Sequence, residues 1–267
     1  WETDSYYDET FADPDGQFIR LPDSHTLWGA GSYEGMFQEG FFLNDLYMYA
    51  AQGVINYHDS GFRVDVCPYE GGSDHSRFLA QNVPALLTWH FTDYTYHSSV
   101  DTLNMSSARE MENVSITTMA TALMIANATD NNEALALEIL GTVMMAALDR
   151  FDIEQANTEN HRIYTLAHGK DFAAALDNEK EVLQAWADWY KEALASPAKY
   201  LLDAPSQIFR DTQAQLLDLL DQRLELALAC ADEYLQDEVT HTGLVKIDAA
   251  APTFSEPGNI EFWYCQN

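Results

Sequence analysis

Apolar positions recur along this chain with two different periods, and the change from one to the other divides it. Through roughly the first half, short runs alternate or are wholly apolar and are bounded by turn residues, the signature of strands. Residues 17–21 form one such run between the turns Asp13-Pro14-Asp15-Gly16 and Pro22-Asp23. Phe62-Arg63-Val64-Asp65-Val66 alternates as a second, and Pro84-Ala85-Leu86-Leu87-Thr88-Trp89 reads as a buried third. Between them lie helical patterns. From about Tyr33 to Tyr57, Phe41, Phe42, Asp45, Leu46, Tyr49 and Ala50 have helical spacing. Residues 75–80 make a short helix entered through Ser73-Asp74, and residues 110–126 an amphipathic one with Met111, Val114, Met119, Leu123 and Ala126 near one face. Asn82 falls at a turn position that tolerates the left-handed conformation. Strand, loop, helix, strand, polar loop, helix is the grammar of an α/β layer fold.

Beyond Asn127-Ala128-Thr129-Asp130-Asn131-Asn132 the period becomes helical throughout. Residues 133–151, 178–195 and 205–238 carry apolar side chains three and four apart, such as Val182, Trp186, Trp189, Tyr190 and Ala193, or Leu216, Leu220, Leu224, Leu228, Ala231 and Leu235. Asn178 and Ser206 are expected near helix starts, and Pro197 and Pro205 at helix ends. The tail holds a strand-like run over residues 260–264 that could pack back on these helices. The expected organisation is therefore α/β over residues 1–128 and a helical, bundle-like region with an extended tail over residues 129–267.

Composition narrows the partners. Hydrophobic residues at 47% and aromatics at 12% supply a core, whereas Asp and Glu outnumber Lys and Arg 43 to 13, a formal net charge of -30. No basic cluster offsets it, which argues against nucleic acid or an anionic membrane as partner and fits a salty, secreted, periplasmic or extracellular setting. No apolar run approaches the roughly 18 residues of a membrane span. Cys67, Cys230 and Cys265 are spaced too widely for a Cys-x-x-Cys motif; one disulfide among them is allowed and none is required. Asn104, Asn113 and Asn127 begin glycosylation sequons, a pattern frequent by chance.

The chemistry-bearing residues crowd into 71–102. His97 follows the expected buried strand in a polar loop, with Asp93 four residues before it and Asp101 four after. Neutral imidazole is a common zinc ligand, and a nearby carboxylate can accept its second N–H. A plain surface-loop histidine fits the same pattern. Tyr96 is either an oxyanion donor or a packed aromatic. Asp74 and His75 could be ligands, groups behind the ligands or, for Asp74, simply a helix cap.

The order of these motifs adds to that reading. Gly71-Gly72-Ser73-Asp74-His75 with Phe78, then Pro84-Ala85 before an apolar run, then Asp93, Tyr96-His97 and Asp101-Thr102 resembles the C-terminal half of the catalytic domain of the co-catalytic di-zinc aminopeptidases. That metallopeptidase family includes bacterial leucyl aminopeptidases and related glutaminyl cyclases. The resemblance covers about residues 1–128 and is strongest over 71–102. It implies a three-layer α/β/α peptidase domain, two zinc ions and a peptide substrate hydrolysed from its N-terminus. It also implies His97 as the last zinc ligand, Tyr96 and Asp74 at the reacting groups, and Ser73, His75, Asp93 and Asp101 lining or supporting the site. Asn82 stands where that family usually has Gly, and Ser98 where Thr is frequent. The family's upstream His, bridging Asp, Glu-Glu pair and further carboxylate have no counterpart here. The resemblance therefore makes the chain part of a site completed by the missing N-terminal half of the catalytic domain, from the same precursor or another chain. By itself it is expected to be inactive. The helical region would cap the site mouth or form a homodimer. A glutaminyl cyclase-like acyltransferase and a non-catalytic binding domain on the same scaffold are the alternatives.

Overall fold

The helical periodicity of the second half folds as expected and extends further than the apolar pattern alone. The computed structural model describes residues 39–64, 66, 73–88, 99–168 and 172–235. Within them α1 runs Leu43–Tyr57, α2 His75–Leu79, α3 Ala108–Asn127, α4 Glu133–His168, α5 Phe172–Leu201 and α6 Gln207–Leu235. Short 3-10 turns at Leu103–Met105 and Asp130–Asn132 lead into α3 and α4.

Helices α4, α5 and α6 pack against one another around Ile139, Leu140, Val143, Ala147, Phe151, Leu183, Ala187, Leu194, Phe209, Leu220 and Ala231, all buried. Burying a side chain of this size contributes roughly 1.5–3 kcal/mol, which is what fixes three long helices together. Phe42 and Leu46, at the start of α1, belong to this same core. A smaller cluster of Ala51, Val54 and Phe62, with Val64, Val114 and Ile116 against it, joins the rest of α1 to α3. One helix therefore contributes to both cores.

The expected α/β fold is not what forms: none of the described residues lies in a strand, and the described architecture is helical. Alternation marks a strand only where a neighbouring strand completes the ladder. Residues 62–64 instead follow a turn closed by Phe62 N–H donating to Asp59 O at 3.1 Å, and neither they nor residues 83–88 take strand structure. Pro84, Ala85, Leu86 and Leu87 are only half-buried and Thr88 is exposed, so this run is not the buried strand its composition implies. The strand-like runs at 17–21 and 260–264 lie outside the described residues.

Helix ends show where local chemistry prevailed. Ser206 caps α6, its Oγ accepting from Phe209 N–H at 3.1 Å while it donates to Glu133. Ser107 caps α3 by accepting from Glu110 N–H at 3.2 Å, an Ser-x-x-Glu start that lies three residues before the expected boundary. Asn178 lies inside α5, six residues past its start. Pro197 does not end α5 but sits within it. A proline in a helix leaves the carbonyl four residues earlier without its N–H; here Ser196 Oγ donates to that carbonyl, Ala193 O, at 2.7 Å. Gln213 Nε2 donates to the next, Leu194 O, at 2.8 Å, so the helix continues through the proline.

Candidate functional site

Of the residues singled out by sequence, Ser73, Asp74, His75 and Asp101 are described, whereas Asp93, Tyr96 and His97 lie outside the described residues. Ser73 and Asp74 open α2: Ser76 N–H donates to Ser73 O at 3.1 Å and Arg77 N–H to Asp74 O at 2.9 Å. The Asp74 side chain makes no capping hydrogen bond, and both Ser73 and Asp74 are exposed. The simple capping role is thus unfilled, because Asp74 has helical torsions of its own (φ -59°, ψ -32°) instead of the extended ones a capping side chain needs. His75, one residue on, turns inward and is 7% exposed. Asn82 closes the segment at φ 60°, the left-handed conformation expected of it, with its N–H donating to Leu79 O at 3.0 Å.

Asp101 is exposed in the turn that leads to the 3-10 segment before α3. No hydrogen bond or ion pair among the described residues joins it to Ser73 or Asp74. Nor do any three His, Cys, Asp or Glu side chains among the described residues gather as a metal set.

The C-terminal flank of the motif segment is anchored electrostatically. Asp59, just after α1, accepts from the Arg109 Nε and Nη2 groups, from Asn113 Nδ2 at 2.8 Å and from Gly61 N–H at 3.0 Å. Arg109 and then Asn113 hold its carboxyl well below the usual carboxylate range. This clamp ties the first turn of α3, directly after the motif, to the end of α1. The rest of α3 presents an unexpected face. Asn113, Thr117 and Thr121 are buried, while Met111, Met119 and Leu123 are 63%, 62% and 60% exposed. Most of the buried polar stripe is partnered: Thr117 and Thr121 donate to the Asn113 and Thr117 carbonyls, each at 2.9 Å, and Asn113 Nδ2 donates to Asp59, which leaves Asn113 Oδ1 as its one buried atom without a partner.

A second polar cluster, which sequence reading did not mark as a site, lies where α1 meets the bundle. Arg150 of α4 stacks on Trp186 of α5 at 4.3 Å and approaches Glu154 Oε1 at 3.5 Å. Glu154 is 6% exposed and also accepts from Asn157 Nδ2 at 3.2 Å. Asp45, in the first turn of α1, faces Arg150, and Tyr190 of α5 adjoins both. Burial raises the Tyr190 phenol, with the Asp45 charge acting in the same direction. The available signal was Asp45 itself, an acid among Phe42, Leu46 and Tyr49 on a helical apolar face. No family model, curated protein or solved structure matches the chain.

Proposed function

We propose that residues 71–102 form one wall of a co-catalytic di-zinc aminopeptidase site. The observation that carries the reading is the ordered motif series from Gly71-Gly72-Ser73-Asp74-His75 through Pro84-Ala85 to Tyr96-His97 and Asp101-Thr102. Asn82 at φ 60° supports it, since a position usually held by Gly needs that conformation. The start of α2 adds support by placing Ser73, Asp74 and His75 within one helical turn.

Zinc, when bound, supplies water activation near neutral pH and polarisation of the scissile carbonyl. His97 would offer neutral imidazole nitrogen as a ligand, and Asp101 or Asp93 would accept its other N–H and fix the tautomer. Tyr96 would donate its phenolic hydrogen to the oxyanion that develops on the substrate. Asp74 would act beside the reacting groups, with Ser73 and His75 shaping the wall. His97 alone cannot hold two ions, and the family's upstream ligand motifs have no counterpart here, so the remaining ligands and the general base would come from the N-terminal half of the catalytic domain, in the same precursor or another chain.

The test compares the 267-residue chain with the polypeptide extended through the coding sequence upstream of Trp1. Each is loaded with zinc and assayed on amino-acid anilides and on peptides with N-terminal Gln. Anilide hydrolysis by the extended form and none by the 267 residues is the expected result. Cyclisation of Gln-peptides without anilide hydrolysis would convert the reading to a glutaminyl cyclase. No turnover of either substrate by the extended form would leave a binding domain.

A further inference from the structure

In the junction between α1 and the bundle, a carboxylate and a guanidinium each keep a buried atom without a partner. Asp45 Oδ2 is buried and has no hydrogen-bond partner; Arg150 Nε is buried and has none either. Arg150 directs Nη1 towards Glu154 at 3.5 Å and sits over the Trp186 ring, so its contacts are made with α4 and α5. On either side of Asp45, Phe42 and Leu46 are 1% and 0% exposed within the bundle core. Asp45 as a whole is half-buried, but Oδ2 is cut off from water without a hydrogen bond in exchange, which disfavours the ionised carboxylate, whereas a protonated one carries no net charge to desolvate.

We infer that Asp45 is a proton-operated clasp: protonated, it seats the first turn of α1 in the bundle, and ionised, it loosens that seat. This goes beyond the proposed peptidase activity and stands independently of it. Because α1 also packs on α3 and is tied to it through Asp59 and Arg109, the clasp would couple the bundle to the flank of the motif segment.

The groups around Asp45 set the direction. From α4 come Arg150, with Asp149 and Glu154 beside it; from α5 comes Tyr190; from α3, Glu110 acts on Tyr47. Burial pushes the Asp45 carboxyl from 3.8 to about 7, against the opposing pull of Arg150. A carboxyl raised on folding binds more protons folded than unfolded, so its contribution falls as pH rises from about 4 to 7 and is lowest above that. His58, just beyond α1, approaches Glu112 at 3.7 Å and pairs with it only when protonated, so it must be separated from Asp45 by mutation.

Hydrogen exchange of α1 in the full chain at pH 5.5 and pH 8, corrected for intrinsic rates and referred to α6, tests the clasp. Protection of residues 43–57 should fall at least about tenfold at pH 8, and Asp45→Asn should retain the high protection at both values. Protection that is independent of pH in the unmodified chain, or a pH dependence that survives Asp45→Asn, would overturn the inference. Should Asp45→Asn not fold, the carboxyl carbon of Asp45 followed by NMR in the unmodified chain decides: a midpoint near 7 supports the clasp and one below about 5 overturns it.

Discussion

At Gly40 the backbone comes so close to α5 that a Cβ would stand 1.9 Å from Trp189 O. The approach lets Gly40 N–H donate to Glu192 Oε2 at 2.7 Å and Phe42 N–H to Ser196 Oγ at 3.1 Å, which places Phe42 in the core. Backbone oxygen cannot rotate away as a side chain can, so Gly40→Ala must push this segment off α5. Overpacking costs about 1–3 kcal/mol, and the melting temperature should drop by several degrees; unchanged melting would show that the segment does not dock there. No sequence signal marked Gly40, because the need for glycine comes from a neighbour far along the chain. Asn82 was readable for the opposite reason: its φ of 60° is a local turn requirement. Asp45 lies between these cases, visible as a polar residue on an apolar face, with its opposing Arg150 invisible until α1 and α4 meet.

Among the elements, the three long helices were legible because their apolar stripes are local records of the surfaces they bury. Their ends were less so. Helix α4 continues past residue 151 to His168, and α5 runs through Pro197, with Ser196 occupying the carbonyl that the proline would otherwise strand and Gln213 bonding the next. The strands failed because a ladder is a property of two segments, and the alternation at residues 62–66 records only one. Helix α3 shows the same limit in another form. Its period was correct, but the buried side is the Asn113, Thr117 and Thr121 stripe, whose hydrogen bonds cannot be read from periodicity. Gly141 offers a test of element-scale propensity. It lies inside α4, and a Cβ there meets nothing within 4 Å. Gly141→Ala should therefore stabilise by about 0.5–1 kcal/mol through the unfolded chain, raising the melting temperature by roughly 2 °C; a fall would mean that α4 is strained at that point.

For the whole molecule, charge and burial act together on pH dependence. The formal net charge is -30, and no described helix is long and apolar enough to cross a membrane. Asp59 and Glu133 are held below their usual range, Asp59 chiefly by Arg109 and Glu133 chiefly by the Ser206 hydroxyl. Their contribution is present above about pH 4 and is lost as pH falls through their folded values, whereas that of Asp45 grows as pH falls from 7 towards 4. Resistance to urea should accordingly peak at mildly acid pH, about 4–5, and decline on both sides. A midpoint that rises steadily to pH 8 would contradict this balance. The candidate site was legible to a different extent from the fold. Its motif order is a sequence property; Asn82 takes the left-handed turn its position allows, whereas Asp93, Tyr96 and His97 lie outside the described residues.

The most direct test of the peptidase reading is the zinc content and kcat/KM of the upstream-extended polypeptide with and without His97→Ala. Two zinc ions per chain and anilide hydrolysis in the parent are expected. In His97→Ala, about one ion should be lost and kcat/KM should fall at least roughly a hundredfold, as removal of a direct ligand requires at least the 10–100-fold loss seen for outer partners. Equal zinc content and equal turnover in the two proteins would contradict the assignment of His97 and, with it, the di-zinc site.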